Sequence, residues 1–102
     1  ELAIVLDLGF QALDWPDPGW TCANPLPAGW AYIATFVAIG LQANGIGSRL
    51  FAATRQAARD AGVRAIDATI RRENTGGLAY YSRMGFVDYW SDAAVIAKKR
   101  EP

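Results

Sequence analysis

The stretch from Ala31 to Gly62 constrains the fold more than any other part of this chain. Residues 31–39, Ala-Tyr-Ile-Ala-Thr-Phe-Val-Ala-Ile, are apolar apart from Thr35 and rich in β-branched and aromatic types. Such a run reads as a strand covered on both faces. Gly40 to Gly45 then reads as a turn. Beyond it Ile46, Leu50, Ala53, Ala57 and Ala61 recur at helical spacing, and Gly62 supplies a stop. The spacing predicts a helix from about Gly47 to Ala61, and strand followed by helix points to an α/β fold.

The rest of the chain extends this pattern. Val63 to Ile70 alternates as a strand, and Asn74 or Thr75 caps a second helix that runs to Met84 with Gly85 as its stop. Phe86–Trp90 and Ala94–Lys98 read as two closing strands joined by Ser91 and Asp92. Ahead of the central strand, Leu2–Leu6 and Gly9–Trp15 read as a partial hairpin. Pro16 to Pro27 holds four prolines with Gly19 and Asn24, which oppose helix and central strand alike and predict an exposed loop. With 102 residues the chain is expected to form one domain over 1–102, because a core this small does not divide into two stable ones.

Composition removes several function classes. Histidine is absent, which takes away the commonest zinc ligand and general base, so no metal is expected and serine-type triads are poor hypotheses. Cys22 is the only cysteine; it can form no internal disulfide and reads as a small packing residue. No apolar run approaches the roughly 20 residues that span a bilayer, and no signal peptide is visible, so no membrane partner and a cytoplasmic location are the expectations. The net charge is zero: residues 1–50 hold four acids against Arg49, and residues 51–102 hold nine bases against six acids. A mildly basic second half suits a phosphate-bearing ligand, whereas nucleic-acid binding would call for a larger basic excess.

Gln42-Ala43-Asn44-Gly45-Ile46-Gly47 lies between the strongest strand and the first long helix. Glycine backbone there can approach a ligand just where unpaired helix amides point outward, and the helix dipole adds about half a positive charge. That combination holds a phosphate or pyrophosphate without lysine. The bland alternative is a plain strand-to-helix turn. A dinucleotide fingerprint lacks its third glycine, since Phe51 and Ala52 follow Leu50, and no Gly-Lys-Ser or Gly-Lys-Thr phosphate loop occurs.

These six residues resemble the Arg/Gln-x-x-Gly-x-Gly/Ala signature of the GCN5-related N-acetyltransferases, the GNAT family. A second signature follows: Asn74, Tyr81 seven residues on, and Gly85-Phe86 are similar to the family's Asn, Tyr and Gly-Phe pattern on the helix after its fifth strand. The resemblance covers residues 31–90. It implies a GNAT-like α/β fold, a mixed and mostly antiparallel sheet flanked by helices, with the family's first strand and helices missing from the chain. It implies acetyl-CoA as acetyl donor, its pyrophosphate on the amides of Gln42, Ala43, Asn44, Gly45, Ile46, Gly47 and Ser48. The pantetheine arm would lie along Thr35, Phe36 and Val37, and an amide near Val37 would polarise the thioester carbonyl. Asn74 would face the cofactor from the opposite strand end.

The resemblance places Tyr81 at the family's general-acid position, where a phenol of pKa about 10 is a fair match to a leaving thiol. Read without the family, Tyr81 is an aromatic core residue on an amphipathic helix. Tyr80 points about 100° away around the helix and reads as a packing or rim residue. Gly77 stands where the family usually has alanine, which reads either as close approach to the cofactor or as simple tolerance. Arg71 and Arg72 read as solvated loop charges, and Arg49 as a secondary phosphate contact.

The function expected is transfer of acetyl from acetyl-CoA to a primary amine of a small molecule or peptide. The alternative, from another class, is a catalytically silent CoA-binding or interaction module. The acceptor and the general base are not named by any residue. Trp15, Trp20, Trp30 and Trp90 either pack the core or line an acceptor site, and a sheet lacking its first helices is expected to favour a homodimer.

Overall fold

The computed structural model describes residues 2–6, 9–15, 26–37 and 45–102. Its elements are strands β1 (Leu2–Leu6), β2 (Gly9–Asp14) and β3 (Trp30–Val37), helix α1 (Ile46–Asp60), β4 (Ala65–Arg71), α2 (Thr75–Arg83), β5 (Val87–Ser91) and β6 (Val95–Arg100). They form one six-stranded sheet in the order β1-β2-β3-β4-β6-β5. Every pair is antiparallel except β3 with β4, which runs parallel and is bridged by α1. This is the mixed, mostly antiparallel α/β architecture that the sequence implies. The Pro16–Pro27 loop through Pro25, Cys22 and Trp20, and positions 38–44 fall outside the described residues.

Side chains alternate across each strand, so one face carries Leu13, Ala31, Ile33, Ile66, Ala68 and Ile70, all buried. Phe51 from α1, Tyr81 from α2 and Phe86 beyond it join the same cluster. Both helices therefore cover one face of the sheet. Rings of Phe51 and Phe86 lie 5.4 Å apart and those of Tyr81 and Phe86 5.2 Å apart, which ties the two helices together through a single aromatic residue. Close packing of α1 on β2 depends on Gly9, where a Cβ would sit 3.1 Å from both Ile46 and Leu50. Leu50 is fully buried, and burying such a side chain is worth roughly 1.5–3 kcal/mol.

Both helices stop by the same device. After α1, Gly62 N–H donates to the Arg59 carbonyl and Val63 N–H to that of Ala58; after α2, Gly85 N–H donates to Ser82 and Phe86 N–H to Tyr81. Gly62 and Gly85 hold φ of 75° and 89°, the left-handed conformation that this two-bond cap requires. The predicted helix ends are thus correct to within a residue. Gly85-Phe86 has a physical meaning beyond a motif: it closes α2 and sets Phe86 against Tyr81.

Candidate functional site

The site arises because β3 and β4 begin side by side and then part. Their ladder joins Trp30 to Ala65, Ala31 to Ile66 and Tyr32 to Asp67, and goes no further. Beyond it β3 stays paired to β2 and β4 to β6, which leaves a cleft of about 800 Å³ between them. Ile33 to Phe36 form one wall, Ala68 to Arg71 the other, and Gly47, Asn74, Gly77, Tyr80 and Tyr81 complete it from the helices. Thr35, Phe36, Gly47, Asn74 and Tyr81, five of the expected site residues, are brought to this one cleft.

Four side chains meet at its floor. The β2–β3 register sets Gln11 opposite Thr35, and the Gln11 Nε2 donates to Thr35 Oγ1 at 3.0 Å. The same nitrogen donates to the Tyr80 hydroxyl at 2.6 Å, which in turn donates to the Gly47 carbonyl at 2.7 Å. The Tyr81 hydroxyl lies 2.8 Å from Thr35 Oγ1. Sequence spacing separates Tyr80 and Tyr81 around the helix, and their ring planes do stand 68° apart, yet both hydroxyls enter one hydrogen-bonded cluster. Tyr80 is more than a rim residue: it clamps the first turn of α1.

Burial weakens both phenols as acids. It pushes Tyr80 up to about 12, helped by the neighbouring Tyr81 and opposed by the hydrogen bonds from Gln11 and Thr35. Burial also raises Tyr81, opposed by its bond to Thr35. Both groups are therefore protonated at neutral pH. Asp67, at the last position of β4 paired with β3, is 2% exposed and accepts hydrogen bonds from Tyr89 and Thr69 at 2.6 and 2.8 Å. Its burial raises its pKa, and those two donors offset part of the rise.

The glycines of the two motifs have distinct reasons. Gly45 caps α1 at φ 75° with no side-chain hydrogen bond, and a Cβ there would meet none of the described residues within 4 Å. Among the described residues no side chain caps the α1 terminus, and its first turn holds no acidic residue. Gly47 is small for a different reason: its Cβ would lie 2.6 Å from the Tyr80 ring. At Gly77 the Cβ would lie 2.6 Å from the Asn74 side chain, whose Oδ1 accepts from Gly77 N–H at 2.9 Å to cap α2. Gly77 accordingly makes room for that cap, a reason the sequence did not show, and it also lines the cleft.

Ile46 is buried, and Ser48 and Arg49 are exposed on the first turn of α1; Gln42, Ala43 and Asn44 lie outside the described residues, as does the Val37 side chain. Arg71 is exposed at the cleft wall and pairs with Glu73 at 3.4 Å, while Arg72 donates to the Asp92 carbonyl at 2.8 Å. Gln11 was not singled out from the sequence. The available signal was its period-two spacing from Leu13, which sets a polar amide on the core face of β2.

The sequence matches the model of the acetyltransferase (GNAT) family over residues 18–86. The fold is similar to the GNAT domain of PAT from S. lividans, with a TM-score of 0.79, 23% identity, and 93% of this chain aligned to 54% of that one. It also resembles the PaiA N-acetyltransferase of Thermoplasma acidophilum, solved with coenzyme A, at TM-score 0.74, 17% identity, and 93% against 54% coverage. YncA of Salmonella typhimurium, solved with its cofactor acetyl-CoA, aligns at TM-score 0.71 and 13% identity over 92% of this chain and 57% of its own. The chain spans about half the length of these solved proteins. No curated protein matches it.

Proposed function

Because the chain belongs to the acetyltransferase (GNAT) family, we propose that it binds acetyl-CoA in the β3–β4 cleft and transfers the acetyl group to a primary amine of a small molecule or peptide. The observation that carries this reading is the parting of β3 from β4 over a floor that holds the Tyr81 hydroxyl. The residues fit such a ligand: the diverging strand accepts an extended arm as an added strand would lie, and the open α1 terminus accepts an anion. Gly45, Ile46, Gly47 and Ser48 would hold the pyrophosphate, with Gln42, Ala43 and Asn44 ahead of them. Thr35, Phe36 and Val37 would flank the arm, and Asn74 would bound it from the α2 side.

Bound acetyl-CoA supplies the acetyl group as a thioester, whose carbon–sulfur bond breaks as the carbon–nitrogen bond to the acceptor forms, leaving a thiolate to be protonated. Tyr81 holds a proton at its hydroxyl oxygen for that purpose, and burial keeps the proton in place at neutral pH. The side chains of Ile33, Ala68 and Ile70 give the cleft apolar walls beside the Tyr81 hydroxyl, which strengthens each polar contact made there.

Tyr81→Phe should lower turnover by roughly 10²-fold or more while acetyl-CoA affinity by calorimetry stays nearly the same. Unchanged thiol release would remove Tyr81 as the acid. One observation favours the second reading, a silent CoA-binding module: burial makes Tyr81 a weaker acid than a free phenol. Acetyl-CoA binding without thiol release across a broad amine panel would establish that reading instead.

A further inference from the structure

We propose that Gln11 is a positioning residue for Tyr81, acting through Thr35 to aim the phenolic proton of Tyr81 into the cleft. The inference rests on the acetyl-transfer reading above, and it follows from counting hydrogens. The Gly47 carbonyl can only accept, so the single Tyr80 hydroxyl proton is committed to it. Tyr80 oxygen must then accept from Gln11, which fixes the amide with its nitrogen toward the tyrosines. The second Nε2 hydrogen goes to Thr35 Oγ1, so Gln11 donates twice and accepts nothing in this cluster.

Thr35 and Tyr81 share one contact at 2.8 Å, and either could donate. If Tyr81 donated, the Thr35 proton would be left with Gln11, itself a donor, or with the Tyr80 oxygen, which already accepts from Gln11 at 2.6 Å. Donation from Thr35 to Tyr81 leaves the Tyr81 proton as the unengaged one, and Tyr81 lines the cleft. The order is Gln11 N–H to Thr35 O–H to Tyr81 O–H. When Tyr81 gives its proton to a thiolate sulfur, forming the S–H bond, the phenolate left behind already accepts from Thr35; solvent then returns a proton to it.

An independent observation points the same way. Gln11 is fully buried, yet its Oε1 has no hydrogen-bond partner among the described residues. Such an atom is costly, and it persists where other contacts over-determine the group. Here the two donor bonds hold the amide in the orientation that leaves Oε1 unmatched.

The test uses the free protein first. With 3-fluorotyrosine incorporated, whose phenol is a stronger acid, the Tyr81 signal in ¹⁹F NMR is assigned by its loss in Tyr81→Phe. Tyr80 is the titratable neighbour, and its signal is assigned separately by its loss in Tyr80→Phe. Gln11→Met keeps the volume and removes both donors; it should move the Tyr81 titration upward by about one pH unit, a tenfold change. Thr35→Val should do the same, and Thr35→Ser should restore the original titration. Because these are separate sites, misfolding of one leaves the others to decide. A Tyr81 titration unmoved by Gln11→Met and Thr35→Val overturns the proposal.

The second readout is kinetic. Gln11→Met should lower kcat roughly tenfold, leave the KM for acetyl-CoA within about twofold, and add nothing to Tyr81→Phe. An equal further loss in the Tyr81→Phe background would make Gln11 merely structural. Absence of thiol release from the unsubstituted protein would sink the acetyl-transfer reading alone, since the titration reports on Gln11 without any reaction.

Discussion

At their C-termini α1 and α2 are built alike, each closed by a left-handed glycine and a pair of backbone hydrogen bonds, whereas their N-termini differ. Asn74 turns its side-chain oxygen onto Gly77 N–H and so occupies the start of α2. Gly45 opens α1 with no side-chain cap at all. Both termini adjoin the same cleft, so the dipole favours an anion at each, but among the described residues only α2 has a side chain on its first amides. The contrast teaches a division of labour: α2 is sealed in order to hold Tyr81 still, and α1 is left open toward the cleft.

The likeness of the C-termini can be broken most severely. Phe86→Ala removes the ring that couples Tyr81 to Phe51, and should cost about 3–5 kcal/mol in urea unfolding. The equivalent truncation after α1, Val63→Ala, should cost roughly 1.5 kcal/mol, since it removes two buried carbons and no aromatic contact. Equal losses would show that the Tyr81 anchor has no special weight.

Next in size is Gly47→Ala, which forces a methyl into the Tyr80 ring and should destabilise by about 1–3 kcal/mol despite the helix propensity of alanine. A stabilised variant would mean that Tyr80 does not clamp α1. The smallest effects sharpen the N-terminal contrast directly. Asn74→Ala should lose about 1 kcal/mol of thermal stability, whereas Gly45→Asn, at a position that tolerates the left-handed conformation, should stay within about 0.5 kcal/mol. A larger loss at Gly45 than at Asn74 would reverse the assignment of sealed and open ends.

Much of the fold was legible because its signals are local. Apolar runs, helical spacing and the glycines at 62 and 85 each act within a few residues, and they gave the strands and both helix ends. The two motifs likewise pointed to Gly47, Asn74 and Tyr81, and the family resemblance to Thr35, all of which share the cleft. Gln11 was not legible because its contacts reach 24 and 69 residues along the chain, through a strand register that no local pattern reveals. The reasons for Gly47 and Gly77 were hidden similarly: each glycine is small because of one particular side chain, Tyr80 in one case and Asn74 in the other. A motif records that a residue is small without recording what it avoids.

The short ladder between β3 and β4 has a mechanical consequence. The ladder between the β1-β2-β3 half of the sheet and the β4-β6-β5 half is three residue pairs long, with one more backbone bond at its start from Arg64 N–H to the Gly29 carbonyl. The rest of the join is made by side chains, Trp30 against Tyr89 and Lys99 at the ladder and Phe51, Phe86 and the tyrosine pair under the helices. The molecule is thus a pair of three-stranded leaves on a common spine. A ligand lying between the leaves would act as a splint, tightening backbone it never touches, and its arrival should register as slower amide exchange along the whole length of β3 and β4.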